Sequence, residues 1–166
     1  MIAGGDKPQD NSAIMTDEYR YPVYANGVEN EGWQCYSKSF RVDRSAVTIS
    51  ARGTIGATFI REPFFTPIVR LIAIIPQAEI NVTYLKYAID SIGVSSTGSS
   101  QQQLTIPNIK KEKIKVPPIA IQQKFEDIVK QSDKSKLKLQ KSLAELSAIK
   151  YTHKRNDRRR SYYGNF

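Results

Sequence analysis

The stretch VPPIAIQQKFEDIVKQSDKSKLKLQKSLAELSAIKY, residues 116–151, decides the architecture. Proline is tolerated at the start of a helix because its missing N–H would have no intrahelical partner there. Pro117-Pro118 therefore reads as the opening of one long helix. Neither Gly nor Pro occurs between Ile119 and Tyr163, and Lys is abundant. At about 1.5 Å per residue, Ile119 to Tyr151 spans roughly 50 Å. A helix of that length is too long to be covered by the domain that remains, and it is suited to holding something at a distance. Ile121, Phe125, Ile128, Leu139, Leu146 and Ile149 follow a heptad register, and Leu137 and Leu143 thicken the stripe. Ser132, Ser135 and Ser142 fall on the same register and weaken it. Such a seam suits close antiparallel packing against another helix better than a self-sufficient parallel zipper.

Outward from the helix, the charge divides sharply. Residues 107–166 hold 16 Lys/Arg against 6 Asp/Glu, while residues 1–106 hold 9 against 10. The net charge of +9 thus resides in the helix and in the tail His153-Lys154-Arg155-Asn156-Asp157-Arg158-Arg159-Arg160. We read residues 1–116 as a globular domain, 117–152 as the long helix and 153–166 as a disordered basic tail, with phosphate contact as the alternative for the tail. The 166-residue length allows one domain with a real core plus the helix. Cys35, the only cysteine, permits no internal disulfide and no cysteine-rich zinc site. The longest apolar run, Ile68 to Ile75, is interrupted by Arg70 and too short to span a bilayer. With no signal-peptide pattern at the N-terminus, the expected location is cytoplasmic.

The globular part is a string of short elements. Tyr21 to Tyr24 reads as an extended segment turning at Asn26-Gly27. Ala46 to Ile49 and Ala57 to Ile60 read as a hairpin joined through residues 51–56, and Ile68 to Ile75 as a buried strand. Val82, Tyr84, Leu85, Ala88 and Ile89 have helical spacing, with Asn81 as cap and Gly93 as stop. A Ser/Gly/Gln-rich loop follows at residues 95–103. Leu104 to Ile106 and Ile114 to Val116 read as two last strands around a turn at Pro107-Asn108. Strands outnumber helices, so the expected class is α+β, a small sheet-rich domain followed by one long coiled-coil helix.

Enzyme constellations are mostly absent, which disfavours a stand-alone enzyme. The only histidine is His153, in the basic tail. No Gly-rich phosphate loop with its Lys is present, nor a Gly-x-Gly-x-x-Gly helix entry. Glu29 with Glu31, and Asp17 with Glu18, sit in hydrophilic loops where carboxylates are ordinarily solvated. What remains are polar, turn-rich loops with base-edge chemistry. Asn and Gln match the adenine edge, and Arg makes the bidentate contact to guanine. Tyr24, Asn26, Arg52, Thr54, Gln101, Gln102 and Gln103 are the candidate DNA contacts, with Lys110 and Lys111 for phosphates. A mobile polar surface is the competing reading of the same loops.

PVYANG at 22–27, ARGTIG at 51–56, STGSSQQQL at 96–104 and VPPIAIQQKF at 116–125 occur in one order. Together they resemble a target recognition domain of the specificity subunit of type I restriction–modification systems, followed by that subunit's spacer helix. The Pro-Pro-x-x-x-Gln-Gln helix entry is the most specific of the four, and the likeness covers roughly residues 2–150. The resemblance implies a non-catalytic subunit that reads double-stranded DNA and binds no cofactor itself. It implies two partners: a methyltransferase subunit using S-adenosylmethionine, and a restriction subunit using ATP and magnesium. It also implies two recognition domains held apart by antiparallel helices, each reading half of a split target. One domain here leaves a half-subunit, a fragment or a recombination product open. The family has a strand and turn before the segment matching Gly4-Gly5-Asp6-Lys7-Pro8, so this domain is expected to be short of its first element. Antiparallel self-association through Phe125, Ile128, Leu139, Leu143, Leu146 and Ile149 is the expected interface, giving a homodimer. The alternative is a silent cassette that acts only as a coiled-coil interaction protein.

Overall fold

Ala46–Ser50 and Leu71–Ile74 are apolar enough to be covered on both faces, and the fold is arranged around them. The computed structural model describes the backbone of residues 1–93 and 103–163, and side chains up to residue 147 together with residue 150. The elements are β1 (Ile2–Ala3), β2 (Asn11–Ser12), β3 (Tyr21–Tyr24), β4 (Trp33–Ser37), β5 (Ala46–Ser50), β6 (Thr58–Arg61), β7 (Thr66–Pro67), β8 (Leu71–Ile74), α1 (Val82–Ile92), α2 (Ile106–Ile109) and α3 (Ile119–Tyr163). A 3-10 turn, Glu29–Gly32, precedes β4. One sheet has the order β1-β8-β5-β6 and is antiparallel throughout; the other runs β2-β4-β3-β7, with β3 and β7 parallel. The class is α+β.

Successive strand residues point to opposite faces, which divides the side chains of β5 between two cores. Val47 and Ile49 pack with Ile72 and Ile74 of β8, Leu85 and Ile89 of α1, and Leu104 and Ile109. Ala46 faces the other way, into a cluster with Val42, Phe65 and Ala73 that Tyr24 of the second sheet flanks. The apolar stripe of α1 is thus buried while its ends are satisfied locally. The Asn81 side chain accepts from the Tyr84 N–H at 3.1 Å, and Gly93 closes the helix in the left-handed conformation.

Two expectations need correction. Ile68 to Ile75 is not one strand: Thr66–Pro67 pairs with β3 in the second sheet, and only Leu71–Ile74 pairs in the first. Between them the charged Arg70 stays exposed and takes φ 67°, so the chain turns from one sheet to the other. Leu104 to Ile106 and Ile114 to Val116 are not strands either. Pro107 sits in the first turn of α2, where a missing N–H costs nothing, and so starts a helix where a turn was read. Ile114 to Val116 lies outside any strand, tied down by the Tyr84 hydroxyl donating to the Lys115 carbonyl at 2.6 Å.

Gly4 shows why a glycine pair stands near the start. Its N–H donates to the Leu71 carbonyl at 2.7 Å, and a Cβ there would lie 2.2 Å from the Ile68 carbonyl oxygen. Only glycine allows this approach. β1, immediately before it, pairs along β8 as an edge of the first sheet.

The helix entry is explained by Gln122, which is wholly buried. Its Oε1 accepts from the Asn81 N–H at 2.9 Å, and its Nε2 donates to the carbonyls of Glu79 (3.0 Å) and Pro117 (2.8 Å). One side chain therefore joins the start of α3 to the residues that cap α1. The chain divides into two units after Gln123. In the second, α3 continues to Tyr163, through much of the segment read as a tail, because no Gly or Pro interrupts it.

Replacing Gln122 with Ala removes its three hydrogen bonds to the Asn81 N–H and the Glu79 and Pro117 carbonyls, each loss costing about 1–3 kcal/mol where water does not reach the group. The expected outcome is a loss of about 2–4 kcal/mol in chemical unfolding followed by tertiary signals of the globular unit.

Candidate nucleic-acid interface

Two of the loops singled out in the sequence, at 26–27 and 51–56, meet at the end of β5, where Leu104 joins them. Ser50 and Ala51 are both buried there, and their polar groups join four segments. The Ser50 N–H donates to the Ala57 carbonyl at 2.9 Å, and the Ser50 carbonyl accepts from Gly56 at 3.0 Å, which closes the 51–56 loop on itself. The Ser50 hydroxyl accepts from the Gly27 N–H at 3.4 Å. The Ala51 N–H donates to the Arg70 carbonyl at 2.8 Å, and the Ala51 carbonyl accepts from Leu104 at 2.8 Å. A buried strand end with donors and acceptors to satisfy acts as the assembly point for the loops around it.

The candidate residues stand differently to this junction. The Asn26 Nδ2 donates to the Arg52 carbonyl at 3.0 Å, so Asn26 holds the loop as well as standing beside it. Arg52 is half-buried and Thr54 exposed. Gln103 is exposed and adjoins Leu104, whose N–H reaches Ala51. Gln101 and Gln102 lie outside the described residues. Lys110 and Lys111 are exposed just beyond α2; no bond described above carries them to the junction. Tyr24 ends β3, half-buried, its hydroxyl pushed up from the usual phenol range by burial, with Arg61 pulling the other way.

Arg61 escaped the sequence reading. It ends β6 on the face of β5 opposite α1, with its side chain 2% exposed. Its Nε donates to Thr48 Oγ1 at 3.0 Å and its Nη1 to Glu31 Oε2 at 3.2 Å, while Nη2 donates to the Glu31 carbonyl. The guanidinium carbon lies 3.8 Å from the centre of the Tyr24 ring and 5.0 Å from that of Phe59. Burial lowers its pKa; the nearby Tyr24 and Glu31 act in the opposite direction. A single arginine among aromatic residues carries no local signal of burial. Its partner Glu31 is 30 residues away and was read as solvated, which its own carboxylate mostly is.

Beyond Glu31 the backbone is unusual. Asn30, Glu31 and Gly32 have φ of 45°, 53° and 79°, and Glu31 in that conformation costs about 1–2 kcal/mol. At Gly32 a Cβ would lie 2.3 Å from the Ala25 carbonyl, and the Ala25 N–H donates to the Gly32 carbonyl at 2.8 Å. The turn is thus fastened both to β3 and to Arg61.

Along α3 the candidate interface residues Ile128, Leu139, Leu143 and Leu146 are exposed and Phe125 is half-buried; the Ile149 side chain lies outside the described residues. The hydroxyls of Ser135 and Ser147 donate to the carbonyls of Gln131 and Leu143 in the same helix. Among the described residues there is no cluster of His, Cys, Asp and Glu that could hold a metal, and no helix long and apolar enough to cross a membrane.

Residues 2–150 match the family of type I restriction modification DNA specificity domains. A Mycoplasma pneumoniae protein described as a type I specificity subunit is 37% identical over 129 residues, covering 78% of this chain and 38% of the relative. A second from the same organism is 36% identical over 125 residues, covering 75% and 34%. The chain therefore spans little more than a third of the length of these relatives. A crystal structure of a type I restriction–modification S subunit from M. genitalium aligns with 64% of this chain and 30% of its own, at 14% identity and a TM-score of 0.45. With the family matched over nearly the whole chain, this protein belongs to the type I restriction modification DNA specificity domains.

Proposed function

We propose that this chain reads a short duplex DNA sequence and, as one recognition domain of a specificity subunit, directs a methyltransferase subunit and a restriction subunit to it. The observation that supports this most is the junction at Ser50 and Ala51, which gathers residues 26–27, 51–57 and 103–104 at one end of the domain. Those segments carry Asn26, Arg52, Thr54 and Gln103, the side-chain types that distinguish base pairs by their major-groove edges. S-adenosylmethionine, ATP and magnesium belong to the partners, and this chain supplies recognition without catalysis.

The charge distribution favours a division of labour. The globular part is close to neutral, so non-specific attraction to phosphates comes from Lys110, Lys111 and the basic helix end. The exposed leucines of α3 are taken up by a second copy of this helix, antiparallel, so that two domains read a split and palindromic target.

Three outcomes follow. Selection from a random-site duplex library enriches one short motif; enrichment of none leaves a coiled-coil interaction protein as the better reading. Replacing Arg52 with Ala weakens binding to the selected site by about 1–3 kcal/mol and relaxes its specificity. Leu139→Glu with Leu146→Glu converts a dimer in sedimentation at tens of micromolar to a monomer while sparing the globular fold; a wild-type chain that is already monomeric there would rule out self-pairing.

A further inference from the structure

Arg61 looks at first like one more base or phosphate contact, since it is a cation next to Tyr24. Its geometry excludes that role. With 2% of its side chain exposed, it spends its donors on Thr48 and on both the carboxylate and the carbonyl of Glu31. The guanidinium carbon lies 3.8 Å from the centre of the Tyr24 ring, and a side chain this deeply buried does not present itself to a groove.

What Arg61 does hold is a second loop. The turn Val28–Glu31 is exposed, lies beside residues 24–27, and includes two non-glycine residues in the left-handed region. Backbone held in such a region persists only where surrounding contacts enforce it. Here the contacts are the Arg61 fork on Glu31 from one side and the Gly32–Ala25 hydrogen bond from the other. The same fork places a positive charge against Glu31, a carboxylate that would otherwise repel approaching phosphates. At the tip stands Asn30, exposed, with an amide that can donate and accept at once.

We propose that the Val28–Glu31 turn is an additional DNA-reading segment with Asn30 as a specificity-determining residue, and that Arg61 is its positioning residue, buried and never in contact with DNA. This rests on the DNA-reading function proposed above. It separates two roles that basic residues of a DNA-binding protein usually combine: the charge of Arg61 is used inside the protein, to fix the shape of the loop.

The test uses the full chain and a duplex carrying the motif selected by the wild type, with a random duplex as reference. Arg61→Lys keeps the charge and loses the planar fork that engages Glu31 twice. Its expected effect is a fall of about tenfold in the preference for the selected duplex, the scale of one mismatched base pair, with random-duplex affinity and its salt slope unchanged. Asn30→Gly, which accepts the positive φ of this exposed position and removes the amide, should relax the preference at one position of the motif. Full preference in both variants overturns the proposal and leaves DNA reading standing. In Arg61→Gln, which removes the charge, a salt slope that falls by about one shows direct phosphate contact and also overturns it. Should Arg61→Lys unfold, Glu31→Ala removes the carboxylate that receives the fork from the solvent side, and an unchanged preference there counts against the proposal equally. A wild-type chain that selects no motif removes DNA reading itself, and this assignment with it.

Discussion

The domain depends on the hydrogen bonding of two residues, Ser50 and Ala51, at the buried end of β5. Central strands must satisfy their backbone groups even where the sheet stops, and water does not reach these two. Their partners are Gly27, Gly56, Ala57, Arg70 and Leu104, residues drawn from well-separated stretches of the chain. Satisfying a strand end thereby collects the turn at 26–27, the loop 51–57, Arg70 and Leu104 at one place. The loops can vary in side chain and still meet there, because most of the bonds that hold them are main-chain bonds.

Arginine and glutamine are used in this fold in the opposite way from what their chemistry first suggests. Gln122 and Arg61 are the long polar side chains best suited to external recognition, and both are buried. Gln122 spends its donors on the backbone carbonyls of Glu79 and Pro117, and Arg61 divides its own among the Thr48 hydroxyl and the carboxylate and carbonyl of Glu31. Buried polar groups with every partner in place specify one arrangement among the many that an apolar core of similar volume would tolerate. In this domain they specify where a helix begins and how a loop turns.

Local signals were legible in the sequence wherever a structure is made by neighbours. The cap at Asn81, the stop at Gly93, the hairpin of β5 and β6 and the Pro-Pro helix entry all follow from residues within one or two turns of each other. Distant pairings were not. The run Ile68 to Ile75 looks like one strand, yet only Leu71–Ile74 pairs as one, Thr66–Pro67 just before the run belongs to the other sheet, and only the exposed Arg70 hints at the break. β4 buries Cys35 and the polar Ser37 on one face with the half-buried Tyr36 between them, too weak an alternation to stand out before its partners β2 and β3 are known. Pro107 was read as a turn because proline breaks helices more often than it starts them. Of the candidate interface, the Asn26 and Arg52 segments were found by their glycines and turn residues. Arg61 was missed because its burial is decided by Tyr24, Thr48 and Glu31, none of which is its neighbour in sequence.

The central claim is that DNA is read at the end of β5, by the loops assembled on Ser50 and Ala51. Mapping amide chemical shifts of the full chain as a sequence-selected duplex is added tests it most directly. The account predicts that the largest changes fall on residues 24–32, 51–56 and 103, with far smaller ones along α1 and β8. Changes confined to the basic part of α3, with residues 24–32 and 51–56 unmoved, would contradict it.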